Sequence, residues 1–370
     1  METRVIKVRQ QADIPSAAEE GAKVLSAGGL VGFPTETVYG VAAVASDDAA
    51  MERLRDLKSR PSRPFSVHMG RREDAFRYVD DPPLRARWLM AKAWPGPLTI
   101  LLPTGGVLAE TKLQKEGLYA RLCYEDTIGL RCPSDPVAMR MLSAVDEPVV
   151  APSANRAGSR SPRTGRDVLE ELDGGIDLLI DAGDTRYGQD STIVLFGADG
   201  WRIVRQGVYD ERSVRRMMNR RILFLCSGNT CRSPLAAGIA KKFFAERLNC
   251  RVQDLPKHGL EISSAGLNAP AGARPSEEAV TVAREQGAEI SRHRTRRATV
   301  ELITGADVVL CMTGAQVAAV GRLAAEAGNV RRLDPQSDVP DPIGGGMEAY
   351  RRTARRIAGA VENLLSEGTI

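Results

Sequence analysis

The sequence predicts an α/β chain of two domains, each with its own sheet. Three observations lead there. The chain has 370 residues, more than one hydrophobic core usually serves. Short apolar runs alternate with helical patterns but not in strict βαβ order, which points to a mixed sheet. A polar, strongly basic stretch, Tyr209 to Arg221, then interrupts the pattern with Arg212, Arg215, Arg216, Arg220 and Arg221 before a fresh strand begins at Ile222. The expected organisation is therefore a first domain over 1–208, a basic linker helix over 209–220 and a second domain over 221–370.

The elements follow in order. Ala17 to Ala27 reads as a helix and GGLVGFP as a buried strand, followed by a helix from Asp47 to Lys58. Strand-like runs recur at Leu98 to Leu102, Thr127 to Leu130, Pro148 to Ala151, Ile176 to Ile180 and Thr192 to Leu195. Helical patterns intervene at Pro83 to Ala93 and Pro136 to Ala144. In the second domain the strand ILFLC opens the pattern and an amphipathic helix from about Met347 to Leu365 closes it. No internal repeat or low-complexity segment is present.

Composition sets outer limits. Hydrophobic residues at 43% and charged residues at 26% describe ordinary globular protein. A formal charge of +4 allows anionic ligands without itself arguing for nucleic acid. Six scattered cysteines (Cys123, Cys132, Cys226, Cys231, Cys250 and Cys311) show neither disulfide-scaffold spacing nor paired zinc spacing. There is no signal-like apolar core and no run long enough for a spanning helix. A reducing cytoplasm, with no membrane association, is the expected compartment.

The second domain carries the sharpest motif. Strand Ile222 to Leu225 delivers CSGNTCRSP, with Cys226 and Arg232 in C-x5-R spacing. A bound phosphate needs several donors converging on its oxygens, and a tight loop supplies backbone N–H groups pointing inward. Gly228 is expected to let the loop turn. Ser233 is expected to cap the following helix, with Pro234 in its first turn. The helix N-terminus adds a positive field that favours a thiolate at Cys226, and the Arg232 fork suits two phosphate oxygens. A phosphocysteine mechanism also needs an acid for the leaving group. Asp341, in DVPDPIGGG before the last helix, is the candidate.

FLCSGNTCRSPLAAG, SSAGL at Ser263 to Leu267 and PDPIGGGMEAY together resemble the low-molecular-weight protein-tyrosine-phosphatase family over residues 221 to 370. The resemblance implies a four-stranded parallel sheet between helices. It makes Cys226 the nucleophile, Arg232 the phosphate clamp and Asp341 the acid and then base; Asn229 shapes the loop and Ser233 stabilises the thiolate. The sequence departs from tyrosine-specific members at three places. Ile343-Gly344 follows the Asp-Pro pair, and Asn268-Ala269-Pro270 follows the SAG motif, both where an aromatic is usual. Thr230 stands where a larger apolar residue is usual. Bacterial protein-arginine phosphatases of the family are similar here, so phosphoarginine and phosphotyrosine both stand as substrates, with Thr230 and Ile343 as specificity residues. Arsenate reduction, a third option, lacks a resolving partner for Cys311.

In the first domain, FPTETVYGVAA places Thr35, Glu36, Thr37 and Tyr39 on a turn after a buried strand. KSRPSRPFSVH supplies Lys58, Arg60 and His68, and a Lys-x-Arg pair suits polyphosphate. WPGPLT, TIGLR, APSAN, DSTIV and VRQG follow. In this order the segments resemble the Sua5/YciO/YrdC family over about residues 8 to 208, the threonylcarbamoyl-AMP synthases of tRNA modification. The resemblance implies a twisted mixed sheet around a positive cavity. It also implies condensation of L-threonine, bicarbonate and Mg²⁺-bound ATP, with release of pyrophosphate and later transfer of the product to tRNA adenosine 37. Carried over by motif, Thr37, His68, Arg131 and Ser191 hold threonine. Lys58, Arg60, Thr127, Ser153, Asn155 and Arg205 hold ATP, and no protein side chain binds metal directly. RPSRP is one residue shorter than the family's usual segment and has Arg63 where Asn is common. VRQG replaces R-P-G, and Thr111 to Asp126 is longer and more polar than usual.

The expected protein is thus a bifunctional enzyme, a nucleotidyltransferase joined to a phosphatase. Its expected partners are tRNA or double-stranded RNA, the threonylcarbamoyl-transfer machinery and a phosphorylated protein. The alternative is an RNA-binding module fused to a tyrosine phosphatase. A carbamoyl transferase of the hydrogenase-maturation type is disfavoured, because neither zinc-finger cysteine pairs nor an acylphosphatase segment is present.

Overall fold

The computed structural model describes residues 2–59, 64–104, 113–114, 117–198 and 200–366. The chain divides into two compact units, Met1–Met218 and Asn219–Ile370.

The first unit is built on one mixed sheet. Its strands are β1 (Arg4–Lys7), β2 (Val31–Phe33), β3 (Gly40–Val44), β4 (Val67–His68), β5 (Leu98–Pro103), β6 (Cys123–Tyr124), β7 (Thr127–Arg131), β8 (Val149–Val150), β9 (Leu178–Asp181), β10 (Thr192–Gly197) and β11 (Gly200–Arg205). Their spatial order is β1-β9-β2-β3-β8-β4-β7-β5-β10-β11, with β6 paired to β7. Parallel pairs (β1 with β9, β4 with β7, β5 with β10) alternate with antiparallel ones such as β5 with β7. The expected mixed sheet is present.

Strands β2, β3 and β8 are buried at every residue, so they lie covered on both faces and read as unbroken apolar runs. The helix Ile14–Ser26 buries Ala17, Ala18, Gly21, Ala22 and Leu25, one stripe at helical spacing. The helix Asp48–Lys58 starts where the Asp47 carboxylate accepts from Ala50 N at 2.9 Å, and the helix Pro136–Ser143 starts under Asp135 in the same way. Each such cap contributes about 1 kcal/mol.

The basic segment after residue 208 differs from the expected linker. Its helix, Glu211–Met217, is short and mostly exposed. Yet Val214 and Met218 lie in the same hydrophobic cluster as Trp94, Leu98 and Ile100. Tyr209 holds Thr192 through its backbone N–H and C=O, each at 2.8 Å. Two buried apolar residues and this backbone anchor make the segment part of the first unit, whatever the charge of its outer face. The next strand begins at Arg220.

The second unit has four parallel strands, β12 (Arg220–Cys226), β13 (Leu260–Gly266), β14 (Val308–Cys311) and β15 (Val330–Arg332), in the order β13-β12-β14-β15. Central β12 buries Ile222 to Cys226 without a break. Helices Arg232–Arg247, Glu277–Glu285, Gly314–Leu323 and Gly346–Ser366 complete the α/β layers. Cys226 thus ends a central strand, where open α/β sheets place their ligand sites. Among the described residues no helix is long and apolar enough to cross a membrane.

Candidate active sites of the two units

A cavity of about 530 Å³ opens in the first unit, lined by Lys58, His68, Thr127, Arg131, Ser153, Asn155, Ser191 and Arg205 among others. That volume suits a small-molecule ligand. Arg131, at the end of β7, is only 6% exposed. One of its terminal nitrogens, Nη2, donates to Glu36 Oε1 at 2.8 Å and to Thr37 Oγ1 at 2.6 Å. Glu36 in turn accepts from Ser134 N at 2.9 Å through its other oxygen. Arg131 Nε is buried and has no hydrogen-bond partner among the described residues. A buried guanidinium edge left open in this way lacks an acceptor that a carboxylate ligand supplies.

Strand β4 lies beside β7, with His68 in register with Arg131. Burial first, and then the Arg131 charge, push the His68 imidazole down to about 3. It is therefore neutral at physiological pH. Its Nδ1–H donates to Ser66 O at 3.2 Å, which leaves Nε2 with a lone pair for a ligand hydroxyl or ammonium. Ser191 lies 3.0 Å from Thr99 Oγ1 and accepts from Arg205 Nη2 at 3.0 Å. Lys58 donates to Ser153 O at 2.8 Å and to Asn155 Oδ1 at 3.1 Å, and also to Asn155 O. Ser153 Oγ donates to Asn155 Oδ1 at 2.6 Å. A lysine, a serine and an asparagine are thereby tied into one polar cluster on the cavity wall. Thr127 turns its hydroxyl to Tyr124 O at 2.6 Å.

In the second unit the loop after β12 folds over Cys226. The Asn229 N–H donates to Cys226 Sγ at 3.2 Å, and Ser233 Oγ lies 3.0 Å from the same sulfur. Asn229 Nδ2 donates to Ser233 Oγ and to Ser264 Oγ, each at 2.9 Å. The Ser233 hydroxyl, which reaches Ala265 O at 3.3 Å, lies closer to the sulfur and can turn its proton to a thiolate. Two expectations change here. The left-handed residue of the loop is Asn229, at φ 57°, and a Cβ at Gly228 would meet only Thr230 Oγ1 at 3.5 Å. The glycine the loop does require is Gly266 on β13, where a Cβ would meet Ser227 O at 2.6 Å and Asn229 N at 2.9 Å. Ser233 lies within the helix, two residues past its N-cap Cys231, which has no side-chain cap; the Ser233 hydroxyl meets the sulfur, Asn229 Nδ2 and Ala265 O instead.

Arg232 reaches Asp341 with Nη2 and Val339 O with Nη1, the latter at 3.3 Å. The clamp and the candidate acid are therefore adjacent. Ile343 is 65% exposed beside them, and its N–H donates to Asp341 Oδ1 at 3.3 Å. Burial, and then nearby Cys226, push the Cys311 thiol up to about 12, which keeps it protonated and unsuited to a thiol relay.

The Sua5/yciO/yrdC family model, described as "Telomere recombination", matches residues 23–207, half of the chain. The chain belongs to the Sua5/YciO/YrdC family. A second model, "Low molecular weight phosphotyrosine protein phosphatase", matches residues 221–368, and this part forms a phosphatase domain of that type. The Threonylcarbamoyl-AMP synthase of Pyrococcus abyssi (strain GE5 / Orsay) is 37% identical over 168 residues, covering 45% of this chain and 47% of that protein. The chain spans about half the length of the curated relatives it matches. The crystal structure of P. abyssi Sua5 complexed with L-threonine aligns over 71% of this chain and 92% of that one, with a TM-score of 0.51 and 22% identity; it shares the fold. A low-molecular-weight protein tyrosine phosphatase from T. tengcongensis is 34% identical over 40% of this chain and 99% of that one, at a TM-score of 0.36.

In the Sua5/YciO/YrdC unit, the structure brings Lys58, His68, Thr127, Arg131, Ser153, Asn155, Ser191 and Arg205 to one cavity, with Thr37 bonded to Arg131. Arg60 and Arg63 lie outside the described residues, as do 111–112 and 115–116 of the polar stretch Thr111 to Asp126. Sequence reading assigned no role to Glu36 or Thr99, which brace Arg131 and Ser191. An acidic residue between two threonines after a buried strand was the available signal for Glu36. In the phosphatase unit, Ser264, His293 and Arg296 were missed; all three hold Asn229.

Proposed function

We propose that the first unit condenses L-threonine, bicarbonate and ATP to threonylcarbamoyl-AMP and pyrophosphate, for N6-threonylcarbamoylation of tRNA adenosine 37. The observation that carries this reading is Arg131. It is a buried guanidinium, braced on one side by Glu36 and Thr37 and open at Nε, on the wall of the same cavity as the Lys58–Ser153–Asn155 cluster. Arg131 takes the threonine carboxylate, while His68 and Ser191 receive its amine and hydroxyl. Lys58, Arg205 and Arg60 neutralise the triphosphate, and Thr127, Ser153 and Asn155 meet the rest of the nucleotide. Mg²⁺ enters with ATP as part of the substrate. Catalysis is then mainly positioning and charge stabilisation. The product passes to the threonylcarbamoyl-transfer machinery and tRNA in the cytoplasm. The test omits each substrate in turn and measures pyrophosphate. Release is expected only with threonine, bicarbonate and Mg²⁺-ATP together, and release that ignores threonine refutes the reading.

The second unit is proposed to hydrolyse phosphoprotein through a phosphocysteine. Cys226 Sγ attacks phosphorus, the bond to the leaving group breaks, and Asp341 protonates that group. Asp341 then takes a proton from the water that releases phosphate from sulfur. Arg232 and the loop N–H groups hold the equatorial oxygens. Phosphoarginine is the favoured substrate over phosphotyrosine. The lip carries exposed Ile343 and Asn268-Ala269-Pro270, with no ring to stack a tyrosine. Losing that stack costs about 0.5–1.5 kcal/mol, up to roughly tenfold in preference. The measurement is the kcat/KM ratio for matched phosphoarginine and phosphotyrosine peptides. Thr230→Ile is expected to shift it toward phosphotyrosine. A wild-type preference for phosphotyrosine of about tenfold or more contradicts the assignment.

A further inference from the structure

A second cavity, of about 410 Å³, lies in the phosphatase unit against the segment that grips the phosphate loop from behind. From the turn at Arg292, every second residue of the segment 292–296 is exposed. Thr295 is buried, bonded to Pro270 O and Ala273 N. Arg292, Arg294 and Arg296 are exposed and line the cavity with Lys241 and Glu289. Among the described residues none of these four cations forms an ion pair. Arg294 and Arg296 bond only to carbonyl oxygens. The single carboxylate, Glu289, is engaged by Ser291 N at 2.6 Å and by Arg284 at 3.5 Å. Lys241 is half-buried, and burial and the neighbouring Arg296 charge hold its ammonium below the ordinary lysine range.

An adjoining cavity makes the contrast. It shares Lys241, but its other cations Lys242, Arg251 and Lys257 are each neutralised, by Glu246, Asp254 and Asp254 respectively. Repulsion within an unneutralised group of cations is relieved by an anion. The size fits a small molecule rather than a polymer.

The back wall is wired to the catalytic loop. His293 Nε2 lies 3.0 Å from Asn229 O, and Arg296 N donates to Asn229 Oδ1 at 3.0 Å. Arg296 Nε donates to Ser264 O at 2.9 Å, and Ser264 Oγ also holds Asn229. Asn229 is the left-handed residue whose N–H points at Cys226. Any ligand that draws Lys241 and the arginines together also acts on this segment.

We propose that Lys241, Arg292, Arg294 and Arg296 form an effector site for a small phosphoryl anion, and that its occupancy alters the Cys226 loop through His293 and Arg296. Inorganic phosphate, pyrophosphate and the phosphate tail of a nucleotide share the required chemistry. Only the coupling rests on the phosphatase reading; binding does not.

The chain has 3 histidines, His68, His258 and His293, so the imidazole proton spectrum of the full chain is simple enough to assign by single substitution. Phosphate, pyrophosphate and ATP are titrated separately into full-length Cys226→Ser. The His293 resonance is expected to shift saturably. A Lys241→Gln, Arg294→Gln pair should weaken that binding by about tenfold or more. With Cys226 intact, the same pair should keep KM for p-nitrophenyl phosphate within about twofold. The tightest of the three probes identifies the source of the anion. In wild-type kinetics pyrophosphate should modulate turnover to a plateau that the paired substitution removes. No His293 shift with any probe, or equal affinity in the substituted chain, overturns the site. Purely competitive inhibition in both chains overturns the coupling.

Discussion

Replacing Cys226 with serine is expected to abolish phosphatase turnover in the full chain while pyrophosphate release by the first unit continues at its normal rate. The effect is the largest available in the second unit, because it removes the atom that forms the covalent bond. The sulfur stands 3.0 Å from Ser233 Oγ and 3.2 Å from Asn229 N, donors suited to a thiolate. A serine hydroxyl in the same place stays protonated, and among the described residues no histidine or carboxylate is bonded to position 226 to take its proton. A loss on the order of 10⁴-fold or more is expected. The substitution is nearly isosteric and leaves β12 intact, so phosphate should still bind. Asp341→Asn gives a graded companion. Turnover should fall most for poor leaving groups, which depend on protonation, and least for p-nitrophenyl phosphate. Equal losses across leaving groups would remove Asp341 from the acid role. The first unit is untouched because its hydrophobic clusters draw only on residues before 219, whereas the core around Leu223 and Val309 draws only on later ones.

Local chemistry was legible in the sequence where neighbouring residues carry it. The run Ile222 to Cys226 announces a central parallel strand, and C-x5-R announces a phosphate loop, because both depend on residues a few positions apart. Features set by distant partners were not. The turn in the loop was assigned to Gly228, yet it falls on Asn229, whose φ of 57° is held by Ser264 and by Arg296, 35 and 67 residues away. Asparagine tolerates this region better than most residues, and these bonds stabilise it there. Glu36 was visible only as one of several polar groups on a turn; its role is defined by Arg131, 95 residues on. The segment 209–218 misled for another reason. Its arginines dominate the composition, while the two residues that anchor it, Val214 and Met218, are easily overlooked among them.

Arg131→Ala is expected to raise the threonine requirement of the first unit sharply and to lower its stability as well. Two terms combine. The guanidinium offers charged donors to the threonine carboxylate, each worth about 1.5–3 kcal/mol, so kcat/KM for threonine should fall by roughly 10²–10³. Removal also leaves Glu36, 4% exposed, as a buried carboxylate without its 2.8 Å partner. Breaking such a pair from one side costs about 3–5 kcal/mol. The stability term would obscure the binding term if alanine were the only substitution. Arg131→Met with Glu36→Gln removes both charges and keeps the volume, so folding should largely return while the threonine defect persists. Arg131→Lys keeps the charge but loses the planar fork, and should fall between wild type and alanine. The measurements are threonine titrations of pyrophosphate release beside thermal unfolding of each variant. If the Met/Gln pair melts like wild type and its kcat/KM for threonine stays within about twofold, Arg131 does not hold the carboxylate. The open Nε edge would then have to receive another anion, with bicarbonate the first to examine.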